Sequence, residues 1–213
     1  MGNLNTDKEE EIKGQENNYK NKMAIGKKKK KFFDVEIPII KKTTHLYAYR
    51  LEQLNDRLIR YDLTRILRGK NALLQLRVHI KGDEATCVAR ELKILPTFLR
   101  KMVRKGTNYV ESSFSTPCKN SQLRIKPFLI TRKKVSRAVR KALREKAVQE
   151  LIAYAKDKPS EEIFQEVLKN QVQKSLSLKL KKIYPLSLCE IRVLKVESEK
   201  PKKEEKEPDK KTQ

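Results

Sequence analysis

Leu74, Leu76, Val78 and Ile80 alternate with Gln75, Arg77, His79 and Lys81, which commits residues 71–81 to a strand with one dry face. Successive side chains of a strand point to opposite faces, so such a segment needs a second strand beside it and a core beneath it. Gly82-Asp83 supplies a turn and residues 85–92 return, which predicts a hairpin. The same period recurs on both sides of it. Residues 32–40 read as extended up to about Pro38, residues 44–51 as a strand with Leu46, Ala48 and Arg50 on one face, and residues 58–63 as a third strand. Residues 109–114 and 123–130 form a further strand pair. Between them, Pro96 at a helix start and Gly106 just past its end bracket a short helix over residues 97–105.

From Lys133 the period lengthens. Val135, Ala138, Val139, Ala142 and Leu143 fall on one side of a helix running to about Lys156, and Lys133, Arg137, Arg140, Lys141 and Arg144 fall on the other. Pro159-Ser160-Glu161-Glu162 restarts a helix with Ser160 as its N-cap and acids in its first turn. Helical spacing returns over residues 171–182. In residues 188–196 the alternation reappears, with Cys189, Ile191 and Val193 inward and Glu190 and Arg192 outward. The expected class is α+β: a mostly antiparallel curved sheet or small β-barrel, then C-terminal helices and a closing strand.

The ends differ from this middle. Residues 1–22 are polar with nothing to bury, and residues 197–213 are a Lys/Glu tail, so both are expected to be disordered extensions. Residues 23–31 form a basic arm, and 32–196 a single domain: mainly β over 32–132, helical over 133–183, closed by a strand at 188–196. Met23 also reads as a second possible start.

Charge then narrows the function. The chain carries 51 Lys and Arg against 27 Asp and Glu, a net charge of +24. Residues 1–22 hold 4 bases and 5 acids, and 197–213 hold 6 of each, so 41 bases and 16 acids lie between them, a net of +25. A compact domain so charged repels itself unless a polyanion neutralises it. Nucleic acid is the abundant polyanion of that kind, and its phosphates release counterions on binding. Lys27, Lys28, Lys29, Lys30 and Lys31 are candidate phosphate contacts in the arm; nuclear import and an anionic membrane are rival uses of such a run. Phe32-Phe33 beside it could stack on bases or anchor the first core strand. The sharper feature is the stripe of Lys133, Lys134, Arg137, Arg140, Lys141 and Arg144. A merely solvated helix face mixes signs at i,i+4, whereas no acid appears here before Glu145.

Catalysis finds no support in the sequence. His45 and His79 have no ligand spacing around them, and Asp62, Asp83, Glu84 and Glu91 form no acid–base motif. Phosphate-binding glycine loops, a nucleophile elbow and a paired-histidine zinc motif are absent from the sequence, which holds 6 glycines in all. Neither a cofactor nor a metal is expected. Cys87, Cys118 and Cys189 suit reduced, buried thiols in a cytosolic protein. No apolar run reaches the length of a membrane span and no signal-peptide core follows Met1, so a cytoplasmic location is expected. The loose N-terminal myristoylation pattern at Gly2 has no second membrane signal to support it.

Several stretches together resemble the archaeal and eukaryotic small-subunit ribosomal protein family called S1e or S3Ae. Met23-Ala24-Ile25-Gly26-Lys27 is similar to the family's usual beginning, and Phe33-Asp34-Val35-Glu36-Ile37-Pro38 to its opening strand. Glu91-Leu92-Lys93 followed by residues 98–105 resembles its central motif and first basic helix, and residues 134–145 its second basic helix. Lys181-Lys182-Ile183-Tyr184-Pro185-Leu186 with Glu190-Ile191-Arg192 is the nearest match. Order and spacing hold across residues 23–196. One stretch departs: Arg57 and Leu63 stand as expected, but Arg60 and Arg65 replace the family's usual Glu and Asp. Such drift fits a divergent archaeal lineage.

The resemblance implies a non-enzymatic structural constituent of the small ribosomal subunit, supporting translation from the platform near the mRNA exit. It implies a β-barrel-like core flanked by helices. Its partners would be the 3′ region of the small-subunit rRNA, neighbouring small-subunit proteins and mRNA at the exit, with no membrane. A free RNA-binding or chaperone protein outside the ribosome is the alternative, and an RNA-processing enzyme using Asp62 or Glu91 a further rival.

Overall fold

The computed structural model describes residues 29–67, 69–82 and 84–199. The expected extension at 1–22, Lys27 and Lys28 of the arm, Asp83 of the turn and the tail beyond Glu199 lie outside the described residues. In chain order the elements are β1 (Lys31–Ile37), β2 (Lys42–Ala48), a 3-10 turn (Leu51–Leu54), β3 (Leu58–Asp62), β4 (Ala72–Lys81), β5 (Glu84–Ile94) and α1 (Pro96–Met102). There follow β6 (Tyr109–Glu111), β7 (Phe114–Pro117), β8 (Ser121–Thr131), α2 (Arg137–Lys156), α3 (Ser160–Leu168), α4 (Gln171–Leu180) and β9 (Leu186–Glu199).

All the strands join one sheet in the order β2-β1-β5-β9-β8-β6. β4 lies on the other edge of β5 and carries β3, while β7 sits beside β6 on β8. The path does not close, so the sheet is open and the barrel alternative gives way to the curved sheet. Pairing is antiparallel except between β1 and β5, which meet in parallel at Glu36 and Thr86. The closing strand is central to this arrangement: β9 pairs with β8 along its length and with β5 through Val193, Leu194 and Lys195.

The hairpin read from the sequence forms, with Ala72, Leu74, Leu76 and Val78 of β4 facing the core. On β5 the buried positions change phase, from Ala85, Cys87 and Ala89 to Leu92 and Ile94. The register slips between Gln75 and Leu76 of β4, leaving Arg90 as the extra residue of a bulge, and one extra residue flips every later side chain. A second slip occurs where Lys126-Pro127 of β8 pairs with Val193 and Ile191, which leaves Arg192 of β9 unopposed. Pro127 has no N–H to offer the ladder, so a bulge is the natural place for it. The slip lies beyond Glu190, which still alternates with Cys189 and Ile191; Glu190, expected outward, is buried because both faces of β9 are covered at this point.

Helices differ from expectation at their ends. α1 stops at Met102 because Val103 is already extended, and Gly106, in the left-handed region at φ 84°, turns the chain into β6. Pro159, not Ser160, occupies the N-cap of α3. β9 runs on to Glu199, past the start of the expected tail, and Glu197 is held there by Arg124 at 2.6 Å and by the Ser115 hydroxyl at 2.7 Å.

α3 and α4 pack on β5 and β9, and α2 lies against β6, β7 and α4. The sheet and these helices share one core that includes Leu74, Leu123, Leu143, Phe164 and Leu180. Lys179 of α4 reaches Glu150 of α2 at 2.6 Å, and Lys146 reaches the same carboxylate at 3.1 Å. These hydrogen bonds hold the Glu150 carboxyl below the usual range.

Candidate nucleic-acid interface

The helix carrying the basic stripe begins at Arg137, four residues later than the periodicity suggests. Ser136 stops it: its hydroxyl accepts the Val139 N–H at 3.4 Å, as an N-cap does. Lys133 and Lys134 therefore stand outside the helix. Their segment is nevertheless fixed in place. Asn108 Oδ1 accepts the Val135 N–H at 2.9 Å, and Thr131 Oγ lies 2.8 Å from the Lys133 carbonyl and accepts the Asn108 N–H at 3.0 Å. Backbone held this way presents Arg132, Lys133 and Lys134 to solvent, followed by Arg137 on the helix.

Within α2 the buried line is Leu143, Ala147, Leu151 and Ala155, with Val139 half-buried above it. Ala138 and Ala142 are exposed, so the apolar face is narrower than expected and the alanines belong to the solvent side. Arg137, Lys141 and Arg144 are exposed, as a phosphate-binding set requires. Arg140 is not equivalent to them: it is half-buried, and its Nε lies out of reach of solvent without a hydrogen-bond partner. Lys141 has an acid nearby, Glu145 at 3.8 Å on the exposed surface, a separation too long and too wet to neutralise it. The first turn of α2 contains no acid, although cations there oppose the helix dipole by about 0.3–1 kcal/mol each. A phosphate would reverse that sign.

Much of the acidic complement is already engaged elsewhere. Glu197 is taken by Arg124, Glu111 by Arg192 at 3.0 Å, Glu166 by Lys158, Glu190 by Lys70 and Glu150 by two lysines. Arg100, Lys101, Arg104 and Lys105, on and after α1, are exposed and add a further basic segment.

The arm belongs to the other end of the sheet. Lys31 opens β1, which with β2 terminates the strand order, whereas α2 packs by β6 and β7 at the opposite end. Lys29, Lys30 and Lys31 are exposed, and the fold does not merge them with the α2 stripe into a single cluster along the sheet. Alternation separates the two neighbouring phenylalanines: Phe33 turns inward with Val35 and Ile37, and Phe32 is 71% exposed. Sequence reasoning missed Tyr47 and Tyr49 beside it. It also missed Arg132, although the run Arg132-Lys133-Lys134 was visible.

With the two basic surfaces placed, comparison with known proteins is direct. The model of the Ribosomal S3Ae family matches residues 19–200. The chain belongs to this family. It is similar to small ribosomal subunit protein eS1 of Pyrobaculum aerophilum, 27% identical over 147 residues that cover 68% of this chain and 66% of that protein. It also resembles the eS1 proteins of Nanoarchaeum equitans (24% identical, 78% of this chain, 87% of that one) and Halorubrum lacusprofundi (30%, 64% and 65%). The matched stretch thus spans just under two thirds of the Pyrobaculum protein. Against the family pattern, Arg60 and Arg65 are both solvent-exposed. Asp62 between them caps a local turn, accepting the Thr64 hydroxyl at 2.6 Å and the Thr64 N–H at 2.8 Å. Those bonds, with a smaller contribution from Arg65, lower its pKa and leave it a structural carboxylate.

Proposed function

We propose that this chain is a structural constituent of the small ribosomal subunit, located in the cytoplasm, with no catalytic role. The observation that carries the reading is family membership over residues 19–200 joined to a net charge of +25 over residues 23–196. Its partners are the 3′ region of the small-subunit rRNA and neighbouring subunit proteins, at the platform near the mRNA exit, with mRNA a further contact. Lys133, Lys134, Arg137, Lys141 and Arg144 grip phosphates; Arg140 supports the helix from its half-buried site. Lys27, Lys28, Lys29, Lys30 and Lys31 thread between rRNA segments. Helical RNA displays phosphates and shape rather than base edges to a protein, and a rigid basic helix face suits that readout.

Sedimentation of the tagged chain from cell extract tests the reading. The protein is expected to travel with small subunits at physiological salt and to remain there after a moderate salt wash. A chain found only in slow fractions, free or on other RNA, would sink the ribosomal assignment in favour of a free RNA-binding role.

A further inference from the structure

Three exposed aromatic side chains gather where the basic arm enters the sheet. Phe32 of β1 stands directly opposite Tyr47 of β2, with ring centroids 4.9 Å apart and planes tilted by 41°. Tyr49 follows on the same face. The fractional exposures of the three are 71%, 51% and 37%. Lys30 Nζ lies 5.5 Å from the Tyr47 ring centre and 5.2 Å from that of Tyr49. Beside them Lys29 and Arg57 are exposed, and Arg57 donates to the Tyr47 carbonyl at 3.4 Å. Farther along the face, Asp34 is occupied by His45, 2.5 Å away.

Burial does not require these rings. The opposite face of β1 already supplies Phe33, Val35 and Ile37 to the core. Leaving Phe32 and Tyr47 in water forgoes their transfer energy, and a cluster of such rings on a folded surface marks a recognition site. The surrounding charge selects the partner. Protein interfaces are depleted in Lys, whereas here a lysine lies over two rings and further bases stand beside the patch. Exposed aromatics on a sheet amid cations are how proteins hold unpaired bases, the rings stacking and the cations meeting the phosphates.

We propose that Phe32, Tyr47 and Tyr49 form a stacking platform for unpaired bases of single-stranded RNA, with Lys30 and Arg57 contacting its phosphates. The platform gives the chain a second mode of RNA binding, distinct from phosphate grip on helical RNA by α2. It rests on the reading of the chain as an RNA-binding constituent, but it can fail separately.

The test is fluorescence anisotropy on the full-length protein with a short oligouridine, an abasic strand of equal length and an RNA duplex. Wild-type protein is expected to bind oligouridine more tightly than the abasic strand. Phe32→Ala with Tyr47→Ala should weaken oligouridine binding roughly 5- to 150-fold, the loss of one stacked base, and leave the abasic strand and the duplex unchanged. Because both rings are exposed, circular dichroism should be unaltered, and the wild-type comparison needs no variant at all. Equal wild-type affinity for the two single strands, or an undiminished oligouridine affinity in the double variant, would overturn the platform and leave this face to a protein neighbour. A chain that stacks bases yet never enters small subunits would instead overturn the ribosomal assignment alone.

Discussion

Lys70 Nζ lies 2.6 Å from Glu190 Oε1, an ion pair between the loop before β4 and the middle of β9. The same Nζ donates to Asn170 Oδ1 in the turn between α3 and α4, a residue held at φ 60° in the left-handed region. One lysine therefore ties the strand layer to the helical layer. The Glu190 side chain is only 7% exposed and its second oxygen has no hydrogen-bond partner, so the carboxylate depends on Lys70 for compensation.

Breaking this pair from one side should be expensive. Removing one partner of a fully buried pair costs about 3–5 kcal/mol. Lys70 keeps 21% of its side-chain surface in water, which places Lys70→Met at or below the low end of that range. Lys70→Met combined with Glu190→Leu should recover most of the loss, because no buried charge is then left alone. Urea unfolding at neutral pH of the two singles and the double gives the coupling energy directly. A coupling near zero would show that the pair contributes nothing to the link between layers.

The three thiols are expected to be inert in the folded protein. Cys87, Cys118 and Cys189 are all buried, and Cys118 Sγ lies 2.9 Å from the Ser121 carbonyl. Burial pushes the Cys87 thiol up to about 11, and burial with the nearby Glu190 charge pushes Cys189 up to about 12. Since the thiolate is the reactive form, a thiol reagent at pH 8 should label all three only after unfolding. The folded state holds the Cys87 and Cys189 protons more tightly than the unfolded state, whose thiols ionise near about pH 8.5. Their contribution to stability is thus complete below that pH and declines as pH rises toward 11 and 12. Rapid labelling of Cys189 in native protein would contradict its packing.

What could be read from the sequence follows from where physics is local. Strands with unbroken alternation, such as β4, announce themselves. Phe32 and Phe33 were separable in principle, since Phe33 keeps phase with Val35 and Ile37 and Phe32 does not. Glu190 was not: Cys189 and Ile191 take one face as the alternation says, but the other face is covered as well, with Lys70 brought to Glu190 by the tertiary fold, which no local pattern records. The stripe on α2 was legible as charge but not as geometry. Ser136 is a good cap in sequence, yet the bases before it carry the helical period across the cap, and nothing local says that Arg140 turns toward the body while Ala138 and Ala142 turn away.

That difference between Arg140 and its neighbours gives the last prediction. Arg137, Lys141 and Arg144 are exposed cations, so replacing all three with Gln should leave thermal unfolding nearly unchanged, as surface substitutions usually do. Each phosphate that a cation no longer neutralises lowers the slope of log affinity against log salt by about 0.9 on a duplex, so the triple variant should show a slope shallower by roughly 2–3. Arg140→Gln should behave in the opposite manner, with a lower unfolding temperature and an almost unaltered slope, because its guanidinium lies partly inside the protein. Filter binding to small-subunit rRNA across a salt series, beside thermal unfolding of both variants, separates the two roles. An unchanged slope in the triple variant would remove α2 from the RNA interface and leave the arm, the segment after α1 and Arg132-Lys133-Lys134 as basic surfaces to test.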